Sequence, residues 1–226
     1  MTIALLWWWL PAAAHDPLKG TVTWDGEIGR LVQARCIGCH VDGGRGPMPL
    51  TSYDEARPWA KAMREEVVAR RMPKWHAARG YGEFANDRSL TPFEIALIAA
   101  WVDGGAPKSR QRSGTPPRQD NAAPIPAERA ADWRPPVPSR ILDLSCTETT
   151  LPRGRLLGVR PSLEEGASAG ISVRMPDGRR EIVAWIRGFE KEFTETYWLR
   201  KPLEVPRGAR LEVDATGRCS VTVSLG

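Results

Sequence analysis

Two thiols and an imidazole stand within five residues of this chain, in the sequence Cys36-Ile37-Gly38-Cys39-His40. The two cysteines are separated by two residues, and the histidine directly follows the second one. This spacing is typical of the attachment site of a c-type haem, where both thiols form thioethers with the porphyrin and the imidazole binds the iron. We therefore predict one covalently attached haem c, held by Cys36 and Cys39, with His40 as the proximal iron ligand.

Other uses of a CxxC pair fit the sequence less well. A thioredoxin-like redox pair requires a surrounding βαβ pattern, which is not visible here. A zinc site requires a second pair of ligands. The remaining cysteines, Cys146 and Cys219, stand far apart in the second half of the chain, so they do not supply such a pair.

The second iron ligand must come from a methionine or another histidine. We predict Met72, because Pro73 disfavours helical backbone at the preceding residue and frees this methionine from the helix before it. Met48, in a loop rich in glycine and proline, and His76 remain alternatives. A methionine ligand gives the higher reduction potential. An open sixth position would instead suit peroxidase or ligand-sensing chemistry.

Aromatic side chains in the same half are candidates for the walls of the haem pocket. Each is also consistent with an ordinary core position, and for Trp101 that reading is at least as good. The four candidates are Trp59, Trp75, Phe84 and Trp101.

Three helices are predicted around these residues. Thr21–Arg35 has apolar residues at helical spacing, with Asp25 as a candidate N-cap, and leads into the thiol motif. Ser52–Glu55 has the form of a capping box and should begin a helix that ends near Arg71. Thr91–Glu94 combines an N-cap threonine, a first-turn proline and a capping glutamate, which predicts a third helix.

After Arg140 the hydrophobic period changes to two, which predicts short antiparallel strands. Cys146 and Cys219 are placed so that a disulfide would join the first and last strands in an oxidising compartment. The predicted strands are Ile141–Leu144, Leu156–Arg160, Gly170–Met175, Glu181–Ile186, Thr194–Leu199, Arg210–Ala215 and Ser220–Leu225.

These patterns predict a multidomain α + β protein. We expect a signal peptide or N-terminal tail at 1–20, a small all-α monohaem cytochrome c domain at 21–107, a proline-rich linker at 108–138, and an antiparallel β-domain at 139–226. The β-domain is expected to be a sandwich or jelly-roll-like.

The N-terminus and the charge balance bear on location and partners. Ile3–Leu10 is apolar and precedes Ala12–Ala14, a pattern that resembles an export signal. Trp7–Trp9 also suits an uncleaved anchor at a membrane surface. We predict a periplasmic or otherwise exported protein, tethered to a membrane if the leader is retained. The net charge of +5 is spread along the chain, which argues against nucleic-acid binding.

Several motifs in order give the first half a family resemblance. Beside the CxxCH motif they are Gly46–Thr51, Tyr53–Trp59, Arg71–His76, Tyr81–Phe84, Asn86–Arg88 and Trp101–Pro107. Together they resemble a group of bacterial exported cytochromes c. The resemblance implies that the methionine of the M-P-x-W motif, here Met72, is the axial ligand.

The second half resembles the β-domain of copper type II, ascorbate-dependent monooxygenases. The motifs are Val159–Pro161, Met175–Arg179, Trp185–Ile186, Thr196–Tyr197, Lys201–Pro202 and Pro206–Arg210. That family places a His-x-His copper pair where this chain has Ser162 and Glu164, and no histidine follows His76. Copper in such a site needs imidazole ligands, so we expect neither copper nor monooxygenase activity.

The sequence therefore predicts one-electron transfer between redox protein partners through a His/Met-ligated haem, without an enzyme's catalytic residues. Two alternatives remain. One is a haem enzyme or sensor with an open iron position. The other is a β-module that binds a partner or ligand and carries the haem half with it.

Overall fold

The computed structural model describes residues 21–109 and 133–226. The predicted leader or tail at 1–20, with its export and anchoring motifs, lies outside the described residues. So does most of the predicted linker at 108–138.

Within residues 21–109 and 133–226, eight strands form two antiparallel sheets. The strand order is β1-β8-β3-β6 in the first sheet and β2-β7-β4-β5 in the second. The strands are β1 (Arg140–Ser145), β2 (Thr149–Thr150), β3 (Gly154–Leu163), β4 (Ala169–Arg174), β5 (Arg180–Ile186), β6 (Tyr197–Val205), β7 (Arg210–Ala215) and β8 (Cys219–Leu225).

The two sheets share one hydrophobic core. Val221 and Val223 of β8 alternate with more exposed residues and are fully buried, as are Ile171 and Val173 of β4 in the other sheet. Alternation with a period of two places these side chains on one face of each sheet. Face-to-face packing then removes both apolar faces from water, which supplies the main stabilisation of this half.

A disulfide joins Cys146 and Cys219, as predicted. Cys146 follows β1 and Cys219 begins β8, and these two strands pair side by side in antiparallel register. The bridge therefore ties the first strand of the sandwich to the last, across a sequence separation of 73 residues.

The helices are short, and the longest has twelve residues. Within the described part of the chain, no helix has the length and apolar character needed to cross a membrane. The helices are α1 (Gly29–Arg35), α2 (Tyr53–Ala56), α3 (Ala60–Val68) and α4 (Pro92–Asp103), with a π-helical turn at Trp24–Ile28 and 3₁₀ turns at Arg57–Trp59 and Lys191–Phe193.

The helix ends follow local side-chain chemistry. Thr91 and Glu94 form the expected capping box at the start of α4, and Ser52 with Glu55 does the same for α2. Ahead of α1 the side chain of Thr23, rather than the predicted Asp25, accepts the capping hydrogen bond. The helical run after residue 52 is broken near Pro58 and stops at Val68, three residues before the expected end.

A buried ion pair locks the end of α1 to the start of α4. The Arg35 guanidinium donates to Glu94 Oε1 from Nη2 at 2.7 Å and from Nε at 3.0 Å. Burial alone would raise the pKa of Glu94, but hydrogen bonds from Thr91 and Arg35 hold that pKa below its usual range. Cys36 follows Arg35 directly, so this pair fixes the position from which the thiol motif begins.

Residues 73–90, which we call the joining segment, leave the helices and pair with the sandwich. Ala77 bridges Ile186 of β5, and Phe84 bridges Leu199 of β6. The main-chain N–H of Ala85 also donates to the carbonyl of Trp198 at 2.8 Å. Because β5 and β6 are edge strands of different sheets, the joining segment closes one open side of the sandwich.

The predicted fold class, a small all-α domain followed by a β-domain, is wrong. The described residues are mainly β, with 30% in strands and 23% in short helices. The physical reason is the joining segment, whose Ala77 and Phe84 bury in the core of the sandwich. The helices themselves are short, with 7, 4, 9 and 12 residues in α1 to α4.

We expect the double substitution Cys146→Ser/Cys219→Ser to lower the free energy of unfolding by roughly 2–4 kcal/mol, because the unfolded chain regains the freedom of a long closed loop. Urea unfolding followed by circular dichroism measures this. The variant should have the same urea midpoint as the wild type unfolded in the presence of reductant. The prediction would be contradicted if neither the double substitution nor the reductant changed the midpoint of the wild type.

Candidate functional site

The thiol motif forms a tight turn at the end of α1. The main-chain N–H groups of Cys39 and His40 donate to the carbonyl of Cys36 at 3.1 and 3.0 Å. Both thiols are free and half-buried. Burial raises the pKa of Cys36 to about 12, so this thiol is protonated at neutral pH. The turn thus presents two cysteine side chains and an imidazole on one short stretch of chain.

The His40 ring is oriented by the loop that follows it. Its Nδ1 lies 3.0 Å from the carbonyl oxygen of Met48. A carbonyl only accepts, so Nδ1 carries a proton, and in the neutral ring Nε2 has the lone pair, which is the arrangement of a metal-binding histidine. The main chain holds the loop in place, since Gly46 donates to the Cys39 carbonyl at 2.8 Å and Leu50 donates to the His40 carbonyl at 2.9 Å.

Gly46 lets the loop pass against the imidazole. A Cβ at this position would lie 2.5 Å from His40 Nδ1 and 2.7 Å from Cγ. These distances are below any ordinary van der Waals contact, and the ring is not a flexible chain end that moves aside. The glycine is therefore needed for the observed ring position.

The motif opens onto a cavity of about 340 Å³ with mostly apolar walls. Its walls come from both halves of the chain. They are formed by Arg35, Cys36, Gly38, Cys39 and His40, by Arg45, Gly46, Pro47, Met48 and Leu50, by Ala62, Met63, Glu66 and Val67, by Met72, Pro73, Lys74, Arg88, Leu90 and Ile98, and by Phe193, Thr194 and Glu195.

Three methionines line this cavity together with His40. Met72 lies just beyond α3, where the main-chain N–H still donates to the Glu66 carbonyl at 3.3 Å. Met48 lies on the loop that orients His40, and Met63 belongs to α3, where it is also part of the helical core. The structure therefore brings the predicted ligand Met72 to the same cavity as Cys36, Cys39 and His40, and leaves Met48 there as its competitor.

His76 lies elsewhere, in the junction between the joining segment and the sandwich. It is buried, and its ring packs 5.7 Å from that of Phe189. Neither ring nitrogen has a hydrogen-bond partner among the described atoms. Burial lowers the pKa of this histidine, against the opposing influence of Glu190. The structure does not bring His76 to the cavity wall.

The four predicted aromatic wall residues are also not on the cavity wall. Trp59 is 44% exposed in a 3₁₀ turn. Trp101 is fully buried in the helical core, where its Nε1–H donates to the carbonyl of Pro107 at 3.0 Å. Trp75 and Phe84 pack on Tyr197 with ring centroids at 4.9 and 5.4 Å. Trp75, Phe84 and Trp101 therefore pack in the two hydrophobic cores, and Trp59 lies at the surface.

The sandwich supplies a wall that sequence reasoning missed. Phe193 lies between two cations, with the Arg45 guanidinium 5.9 Å and the Lys74 ammonium 5.5 Å from its ring centroid. Lys74 also pairs with Glu190 at 2.8 Å, and Arg88 pairs with Glu195. Residues 193–195 lie more than 150 positions after the thiol motif, so no local spacing could have assigned them to the same site.

The residues around the cavity fit a haem c. Two free thiols, one oriented imidazole and a methionine are what its attachment and ligation require. Apolar walls suit the porphyrin faces, and the rim cations Arg45, Lys74 and Arg88 suit its two carboxylate side chains. Among the described residues there is no group of three or more His, Cys, Asp or Glu side chains placed to hold a bare metal ion.

No protein-family model matches this chain, and none of the curated proteins or solved structures gives a match.

We expect Gly46→Ala to displace the His40 ring and break its hydrogen bond to Met48, because the added Cβ occupies the same space as the ring. Loss of such an orienting contact weakens metal ligation about 10- to 100-fold. The measurements are the fraction of iron in a low-spin six-coordinate state and the ¹⁵N shift of His40 Nδ1. Gly38→Ala is the matched control, because its Cβ would contact nothing within 4 Å. Equal behaviour of the two variants would contradict this prediction.

We expect His76→Phe to make folding less sensitive to mild acid. Burial lowers the pKa of His76, so between that pKa and the unfolded value of about 6.5 the unfolded chain binds the extra proton and the wild type loses stability as pH falls. Phenylalanine has no such proton. Urea unfolding at a series of pH values should show that, below about pH 6.5, the free energy of unfolding of the variant increases relative to that of the wild type. A constant difference at all pH values would refute the argument.

Proposed function

We propose that this protein is an exported one-electron carrier with a single haem c, attached through Cys36 and Cys39 and ligated by His40 and Met72. The observation that carries the proposal is the shared cavity: both thiols, the oriented imidazole and Met72 line one apolar space. The family resemblance of the first half agrees with this assignment.

Each residue has a definite task in this proposal. Cys36 and Cys39 would hold the porphyrin through two thioethers, since a thiol S–H can add across a vinyl group without a by-product. The Met48 carbonyl holds the proton of His40 on Nδ1, so that Nε2 remains the ligand. The bound haem supplies a reversible one-electron couple at its iron. The apolar side chains of Leu50, Val67 and Ile98 exclude water from the cavity.

Export and electron exchange with protein partners belong to the same proposal. The Cys146–Cys219 disulfide is compatible with an oxidising compartment such as the periplasm, where such bonds persist. Because the cavity is closed by the sandwich as well as by the loops, we propose that electrons arrive from and leave to other redox proteins rather than a substrate bound at the iron.

Expression with a c-type haem maturation system tests the attachment. The wild type should retain haem through acid–acetone extraction and give the pyridine haemochrome spectrum of a porphyrin with two thioethers, whereas Cys36→Ser/Cys39→Ser should lose it. A wild-type chain that matures without covalent haem would refute the proposed function. Carbon monoxide distinguishes the alternative: rapid binding to the reduced wild type would indicate an open iron position and a sensor or enzyme.

Met72→Ala compared with Met48→Ala tests the axial ligand. We expect Met72→Ala to lower the midpoint potential by on the order of 100 mV and to permit carbon monoxide binding, since axial ligands set haem potentials over about 0.8 V. Met48→Ala is a matched control, because both side chains line the cavity and its carbonyl still accepts the His40 proton. If Met48→Ala showed the larger change, Met48 would be the ligand.

A further inference from the structure

Two carboxylates line the cavity, and their surroundings differ. Glu66 is paired with Arg71 through two hydrogen bonds of 2.8 and 2.9 Å, and its side chain is 38% exposed. Glu195 comes from the sandwich and is more enclosed, with 20% of its side chain exposed. The bonds from Arg71 lower the pKa of Glu66, so that carboxylate stays ionised at neutral pH.

Glu195 is held by groups from three separate elements. In the joining segment, Arg88 forms an ion pair with it and Asn86 Nδ2 donates to it at 3.2 Å. From the loop after the thiol motif, the exposed Arg45 contributes a positive charge. From β6, the buried Tyr197 hydroxyl interacts electrostatically with Glu195 and stays protonated, because burial raises the pKa of Tyr197 above its usual range.

The influences on the pKa of Glu195 combine differently from those on the pKa of Glu66. Burial raises the pKa of Glu195, and this effect outweighs the opposing charges of Arg88 and Arg45. The pKa of Glu195 therefore lies above its ordinary value. Because Glu195 lines the same cavity as His40 and Met72, a change of one unit of charge inside that cavity acts on this carboxyl.

We propose that the Glu195 carboxylate is the proton acceptor coupled to electron uptake in this protein. This inference rests on the proposed haem function. One electron from a one-electron donor reduces iron(III) to iron(II), and one proton from water forms an O–H bond on Glu195. On oxidation the electron leaves to an acceptor and the proton returns to water. Through Glu195, the sandwich thereby sets the pH dependence of the haem's midpoint potential, although the haem is attached in the other half of the chain.

The sign of the effect follows from the charges. Oxidised iron carries one more positive charge, which favours the carboxylate, and reduced iron favours the neutral acid. Glu195 therefore has a lower pKa in the oxidised protein than in the reduced protein. Between these two pKa values the midpoint potential of the haem falls as pH rises. The slope approaches 59 mV for each tenfold change in proton concentration, the one-electron value. This range should lie above the ordinary glutamate value of about 4.3.

The experiment is a spectroscopic redox titration of the haem-loaded full-length protein from about pH 5 to about pH 8. We expect Glu195→Gln to abolish most of the slope, while the matched cavity variant Glu66→Gln retains it. In the reduced-minus-oxidised infrared difference spectrum, the wild type should gain a carboxylic acid C=O band that Glu195→Gln lacks.

A slope that survives in Glu195→Gln would overturn the inference and assign the proton to another group, the haem's own carboxylates included. A wild type that carries haem c but shows no slope would overturn it as well, while the proposed function stands. A wild type without covalent haem would refute both.

A second variant applies if Glu195→Gln does not fold. Arg45→Gln changes an exposed side chain and removes a charge that lowers the pKa of Glu195. It should move the pH-dependent range upward without abolishing it, and an unmoved range would count against Glu195.

Discussion

The site depends on one set of main-chain hydrogen bonds, those between the joining segment and the two edge strands of the sandwich. The carbonyl of His76 accepts from Arg187 at 2.9 Å, and that of Glu83 accepts from Arg200 at 2.8 Å. These bonds satisfy backbone groups that an open sheet edge would expose. They also fix where the chain emerges from α3, and therefore where Met72 and Lys74 stand. The cavity is a consequence of this pairing rather than of helix packing alone.

Much of the local structure could be predicted because it depends on near neighbours. The capping boxes at Ser52 and Thr91 form as expected, and the predicted strand Arg210–Ala215 is observed without change. The two-residue strand Thr149–Thr150 was missed because it is too short to show a period of two. The Cys146–Cys219 disulfide followed from the positions of two cysteines beside the first and last strands.

The differences from expectation have another cause, namely contacts over long sequence distances. Trp75 and Phe84 were candidates for the walls of a haem pocket, and their rings pack against Tyr197 of the sandwich. The fold class was wrong for the same reason. Burial decides which core a side chain joins, and a pattern within one segment does not reveal which partner covers it. The position of Glu195 at the cavity could not be predicted from the sequence for the same reason. The thiol motif could be recognised because its residues are adjacent in the sequence.

The walls of the cavity are supplied by residues from Arg35 to Glu195, so this cavity does not exist until nearly the whole chain has folded. A chain that appears from its N-terminus exposes both thiols about 150 residues before the last wall residue is available. A haem attached there, as proposed, would be bound to an open, partly folded chain and enclosed afterwards. Assembly would then have an intrinsic order, in which the covalent step precedes the burial step and the later folding of the sandwich closes the site.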